Sequence, residues 1–184
     1  MKKKQILNSA IKVLNKDLYA PLEKIANEAQ INKRTLYRYF SDRDTLIAAC
    51  YLDMMQTCSR AMLIAVGSHN DPIAQLEAML YAAMDCGVKY VFLTTLEINP
   101  VNMEIHDKDL FAEYEQARNK WFSLVPQLQQ ENIIDHQLSP AWIRHLFINT
   151  VRTCVQAQNS GDVAPNDLKR LVWLTFSRSI GISK

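Results

Sequence analysis

Apolar residues recur along most of this chain three and four positions apart. Ile6, Leu7, Ala10, Ile11 and Leu14 form one stripe with Lys and Asn opposite, which predicts an amphipathic helix over about 3–15. Residues 17–21 (DLYAP) read as a connector, and Pro21 suits the first position of a second helix. Leu22, Ile25, Ala26 and Ala29 give that helix an inward face. Gln30-Ile31 then makes a turn, and Asn32 is a suitable N-cap for a third helix, on which Leu36 and Phe40 turn inward together. Ser41-Asp-Arg-Asp44 has capping-box spacing and predicts the start of a fourth helix. Its apolar positions continue from Leu46 through Met62 to about Val66. Such a length suits a strut from a small N-terminal unit into a larger body.

The remainder also reads as helical. Gly67-Ser-His-Asn70 interrupts the pattern, and Asp71-Pro72 supplies an N-cap and first-turn proline for a helix reaching about Gly87. Val88–Leu96 (VKYVFLTTL) is strand-like in composition, but no neighbouring run offers a hairpin partner. A buried helix ended by Pro100 is expected there. Another helix should run from Met103 to about Asn132, with Pro126 kinking or breaking its last turns. Ser139-Pro140 starts the next, which Ser160-Gly161 stops, and a final helix begins near Asn166. Trp142, Leu146 and Cys154 widen the apolar side of the penultimate helix. Leu168, Leu171, Val172, Leu174, Phe176 and Ile180 do the same for the last. Excess apolar surface on both predicts burial against a second copy, a two-fold homodimer through the last two helices. The fold class is all-α, about nine helices, with residues 1–47 as a small helix-turn-helix domain and 48–184 as a helical body that carries the dimer contacts.

Composition supports this reading and charge refines it. Only 4 Gly and 6 Pro stand in 184 residues, too few for the turns of an all-β chain, while 48% hydrophobic residues suffice for a core. The formal net charge is +2, but it is unevenly spread. Residues 1–47 hold ten Lys/Arg against five Asp/Glu, and the rest hold eleven against fourteen. The basic end is the helix-turn-helix end, as contact with phosphate requires. Cys50, Cys58, Cys86 and Cys154 form no C-x-x-C pair, a pattern of reduced thiols in a cytosol. The apolar positions of the N-terminal helix are interrupted by Asn8, Ser9 and Lys12, so it reads as an amphipathic helix and not as a signal peptide. No run approaches the ~20 apolar residues of a membrane span. The chain is expected to be cytoplasmic, with no membrane partner.

With Leu36 and Phe40 inward, Arg34 and Arg38 of the third helix point most directly outward. Thr35, Tyr37 and Tyr39 lie on its flanks, and Lys33 occupies its first turn. A helix entering a major groove needs this arrangement: N-terminal residues at base edges, flanking donors at phosphates. Lys33 or Arg34 would read guanine, Thr35 would meet a thymine methyl or a phosphate, and Tyr37 and Arg43 would clamp phosphates. Tyr39 is the remaining DNA-facing candidate, although it and Arg38 should lie partly under the fourth helix.

Residues 5–50 resemble the DNA-binding domain of the TetR family of bacterial transcriptional regulators. The resemblance lies in Ile6, Ala10 and Leu14, in Ile25-Ala26 and Ala29, and above all in Thr35-Leu-Tyr-Arg-Tyr-Phe40 followed by Ser-Asp-Arg-Asp-Thr-Leu46. It implies a three-helix head, a fourth helix joining it to a helical body, and dimerisation through the last two helices. It also implies binding to a palindromic operator in double-stranded DNA, often released by a small molecule. Three positions depart from the family pattern. Pro21 stands where Thr or Ser usually caps the second helix, Gln30 where the turn usually has Gly, and Arg34 where a small residue is usual. Gln30 is therefore expected to take a left-handed or otherwise costly conformation.

No nucleotide-binding, hydrolase or metalloprotease motif is present, so an enzyme is not expected. Glu104, His106, Asp107 and Asp109 are acids and a histidine near a helix start, which the helix dipole explains without a metal. No cofactor is expected. Met62, Met84, Tyr90, Phe111, Tyr114 and Trp121 are soft or aromatic residues that would suit the pocket of an unknown small-molecule effector, or equally an ordinary core. The reading is a dimeric DNA-binding regulator, a repressor released by its effector. The alternatives are a DNA-bound protein of the same fold that recruits a protein partner, and a helical small-molecule binder without DNA activity.

Overall fold

Short polar side chains set the helix starts by accepting from backbone N–H groups that lack a partner within the helix. Asn32, Asp42, Asp71 and Ser139 accept from the N–H of Thr35, Thr45, Ala74 and Trp142 respectively. The computed structural model describes the backbone of residues 2–98 and 108–182, without the side chains of 93–95, 97, 98, 108–111, 113, 114, 118 and 122. Among the described residues it is all-helical. The helices are α1 (Lys2–Leu14), α2 (Leu22–Glu28), α3 (Lys33–Tyr39), α4 (Arg43–Gly67), α5 (Pro72–Cys86), α6 (Val88–Ile98), α7 (Lys108–Gln130), α8 (Pro140–Ser160) and α9 (Pro165–Ser179). The strand-like run VKYVFLTTL is indeed helical and forms most of α6.

Two local expectations need correction. The N-cap of α4 is Asp42 and not Ser41, whose hydroxyl donates to the Asp42 carboxylate at 2.7 Å. An ionised carboxylate is the stronger acceptor at a helix N-terminus, so the register moves by one residue. Of the kink or break expected at Pro126, the break does not occur, since α7 continues to Gln130. Val125 and Leu128, both fully buried on either side of it, hold that segment against the core. Pro100 and the cluster at 104–107 lie outside the described residues, as does the Asp109 side chain.

Packing divides the apolar residues into two clusters. One gathers α1, α2, α3 and the first half of α4, from Ile6 to Met55, and takes in Phe92 and Leu96 of α6. The other gathers α4 from Cys58 onward with α5, α7, α8 and α9, and takes in Tyr90 of α6. At 1.5 Å per residue, the 25 residues of α4 span about 37 Å and serve both clusters. Phe147 of α8 sits at the body's centre. Tyr90, Trp121 and Phe176 meet its ring edge-on at 6.1, 5.6 and 5.5 Å, an arrangement that suits ring quadrupoles.

Candidate nucleic-acid interface

Ile25, Ala26, Ala29, Leu36 and Phe40 are buried and lock α2 and α3 against α1. The turn between them closes as a Schellman motif. Ile31 N–H donates to the Ala26 carbonyl at 2.9 Å, and Gln30 N–H to the Asn27 carbonyl at 3.0 Å. That geometry needs a left-handed residue, and Gln30 takes it with φ of 54°. The expectation for this position is met. Side-chain bonds then tie α1 to the unit. Gln5 Nε2 donates to the Ala29 carbonyl at 3.1 Å, and Lys12 Nζ meets Glu28 at 2.6 Å.

The six DNA-facing candidates fall into three environments. Arg34 and Tyr37 are exposed on the open side of α3, with Tyr37 48% accessible. Thr35 is half-buried beside them. Lys33 is exposed but pairs with Glu23 of α2. Tyr39 is half-buried against the head cluster, and the Arg38 guanidinium lies over its ring at 5.6 Å. Arg43 is turned inward: its guanidinium donates to the Ala20 carbonyl at 2.5 Å and to the Leu18 carbonyl. It braces the connector between α1 and α2. One cation is missing from the sequence-based set. Lys3 stands over the Phe40 ring at 5.9 Å, so the N-terminus of α1 lies beside the end of α3. The run Lys2-Lys3-Lys4 was its only signal.

Residues 6–50 match the family of bacterial regulatory proteins of tetR type. This is a tetR-family head. No curated protein matches the chain by sequence. Among solved structures, a TetR-family regulator from Marinobacter aquaeolei shares 15% identity over 99% of this chain and 96% of its own, with a TM-score of 0.65. The TetR-like regulator LfrR from Mycobacterium smegmatis, determined with proflavine, shares 18% over 97% and 96% at 0.60. The fatty acid degradation regulator FadR from Bacillus halodurans shares 16% over 97% and 94% at 0.59. These likenesses extend the tetR-type fold to the whole chain. DNA-binding regulation of transcription is the activity that the head's family carries.

The tetR-family head is joined to the body by more than α4. Asn15 Nδ2, just past the end of α1, donates to the Val88 carbonyl at the start of α6 at 2.7 Å. Asp53 of α4 pairs with Lys89 of α6 at 2.8 Å and also with Lys4 of α1. Burial by itself would push the Asp53 carboxyl up, but hydrogen bonds from Lys4 and Lys89 outweigh it and hold the group below the usual carboxylate range. Lys4 is raised in turn, chiefly by its bond to Asp53.

The proposed effector residues lie in the body. Met62, Met84, Tyr90 and Trp121 are buried together in its cluster, and the side chains of Phe111 and Tyr114 are outside those described. Among the described residues no group of three His, Cys, Asp or Glu is placed to hold a metal, and no helix is long and apolar enough to cross a membrane.

Proposed function

We propose that the chain is a dimeric, effector-responsive repressor acting in the cytoplasm on a palindromic operator. The observation that carries this reading is the exposed outer face of α3. Arg34 and Tyr37 stand free on a rigid, capped helix, with Thr35 beside them. In the proposed complex this helix enters the major groove. Arg34 reads a base edge, Tyr37 and the Lys2–Lys3 end of α1 meet phosphates, and Lys33 exchanges Glu23 for a phosphate or base. Arg43 contributes by holding the connector in place.

The body supports the dimer and the switch. Trp142 of α8 is 56% accessible, and a groove of about 260 Å³ between α8 and α9 is lined by Leu146, Ala157, Leu168 and Leu171. A second copy packed there is the proposed dimer, whose two α3 helices must lie about 34–36 Å apart, one turn of duplex, to enter successive major grooves. Helix α6 supports coupling, since Tyr90 packs in the body cluster while Phe92 and Leu96 pack in the head cluster. A small molecule parting Tyr90, Trp121 and Phe147 would move α6 and with it the head, and would weaken operator binding by its differential affinity for the two arrangements.

Selection of bound duplexes from a random pool at two salt concentrations tests the reading. A palindromic consensus whose affinity falls steeply with salt is expected. A folded chain that enriches no sequence, or only single half-sites, would overturn it.

A further inference from the structure

Four cysteines stand in this chain, and only two of them face each other. Cys50 and Cys154 are buried in separate clusters. Burial pushes the Cys50 thiol up to about 12 and raises Cys154 as well, which makes both poor nucleophiles. Cys58 of α4 and Cys86 of α5 meet where these two helices pack against each other. Beside them lies a groove of about 720 Å³, lined by Thr57 and Ala61 of α4, Ala82 and Cys86 of α5, Lys89 of α6 and Lys12 of α1. Cys86 forms part of the groove wall and is partly accessible, whereas Cys58 is fully buried and does not line the groove. The two thiols lie close enough to influence each other's ionisation.

We propose that Cys58 and Cys86 form an oxidisable dithiol that takes a hydroperoxide from the groove and closes to a disulfide. The asymmetry of the pair assigns the roles. Cys86 is the accessible thiol and is lowered, first by the hydrogen bond from Cys58 and then by the charge of Lys89, against burial and Asp85. Cys58 is raised, by its hydrogen bond to Cys86 and by burial. Cys86 thiolate attacks one peroxide oxygen, the O–O bond breaks, and water or an alcohol leaves after protonation. Cys86 is then a sulfenic acid. The Cys58 sulfur attacks the Cys86 sulfur, the S–S bond forms, the S–O bond breaks, and the departing hydroxide leaves as water with the Cys58 proton. Two thiols supply two electrons, and the peroxide is reduced to two molecules of water, or to water and an alcohol.

The location gives the disulfide a consequence, which rests on the regulator reading above. Cys86 is the last residue of α5, and Gly87 follows at φ of 50°. Immediately beyond it are Val88 and Lys89, the residues that touch Asn15 and Asp53. A bond from Cys86 to α4 therefore ties α5 to the strut at the point where α6 takes hold of the head.

The test treats the reduced full chain with hydrogen peroxide, maps linked peptides without reduction, and measures affinity for the duplex enriched above. A peptide pair joining Cys58 to Cys86 is expected, with Cys50 and Cys154 still free. Duplex affinity should change by about five-fold or more, in the range of ordinary allosteric coupling. Cys86→Ser and Cys58→Ala should fold, form no link and lose the peroxide response. Oxidation of Cys86 to sulfinic acid with no link to Cys58 would overturn the proposal, as would a linked chain that binds duplex like the reduced one. If the reduced chain binds no duplex, it is the regulator reading that fails, and the linkage map alone decides the dithiol.

Discussion

Lys89 Nζ reaches Asp53 Oδ2 at 2.8 Å, and the two side chains are 19% and 12% accessible. This pair, with Lys4 on the other carboxylate oxygen, is a charged joint between head, strut and α6. Replacing Asp53 by Asn leaves two ammonium groups facing a neutral amide. Partly buried pairs lie between exposed ones and fully desolvated ones, so the loss should be ~1–2 kcal/mol. Urea unfolding of Asp53→Asn against wild type measures it.

The same joint sets a pH dependence. The folded-state pKa of Asp53 is depressed, so its contribution is complete above the unfolded-state value and is lost as pH falls through the folded one. Wild type should therefore lose stability relative to Asp53→Asn as pH drops below the usual carboxylate range. Parallel pH–stability curves for the two proteins would show that the joint contributes nothing.

Gln30 holds a left-handed conformation that glycine adopts without steric penalty. Its side chain is exposed, so little packing is lost on its removal. Gln30→Gly should stabilise the chain by ~0.5–1 kcal/mol, read as a higher melting midpoint. A lower midpoint would mean that the Gln30 side chain does something beyond its backbone.

Arg34 and Arg43 should fail in different ways. Arg34→Ala should leave the melting midpoint unchanged and reduce discrimination between operator and mismatched duplex by ~1–3 kcal/mol. Arg43→Ala removes charged donors from two carbonyls and should cost ~1.5–3 kcal/mol of stability, with duplex binding lost only as the head loosens. Calorimetry beside binding isotherms separates the two. A stable Arg43→Ala head with a reduced salt slope would return Arg43 to the phosphates.

Leu171 lines the groove between α8 and α9 and is only half-buried in the single chain. A charge there would be desolvated at a dimer interface but not in a monomer. Leu171→Asp should shift sedimentation from dimer to monomer and leave helicity intact. A variant that stays dimeric would move the interface elsewhere.

The sequence alone determined the helical plan of the described residues, because helical periodicity, Asx and Ser caps and first-turn prolines act locally. Asn32, Asp71 and Ser139 cap where the residues announce it, and Gln30 is left-handed because the turn demands it. The outward set on α3 was legible for the same reason, since Leu36 and Phe40 fix the rotation of one short helix. Tertiary structure alone decided which cations are free. Arg43 and Lys33 look like Arg34 in the sequence, yet carbonyls at residues 18 and 20 hold the first and Glu23 the second. Periodicity likewise could not show that α6 shares its apolar residues between two cores, or that Cys58 and Cys86 meet. Those relations join residues far apart along the chain, and only the packing of whole helices brings them together.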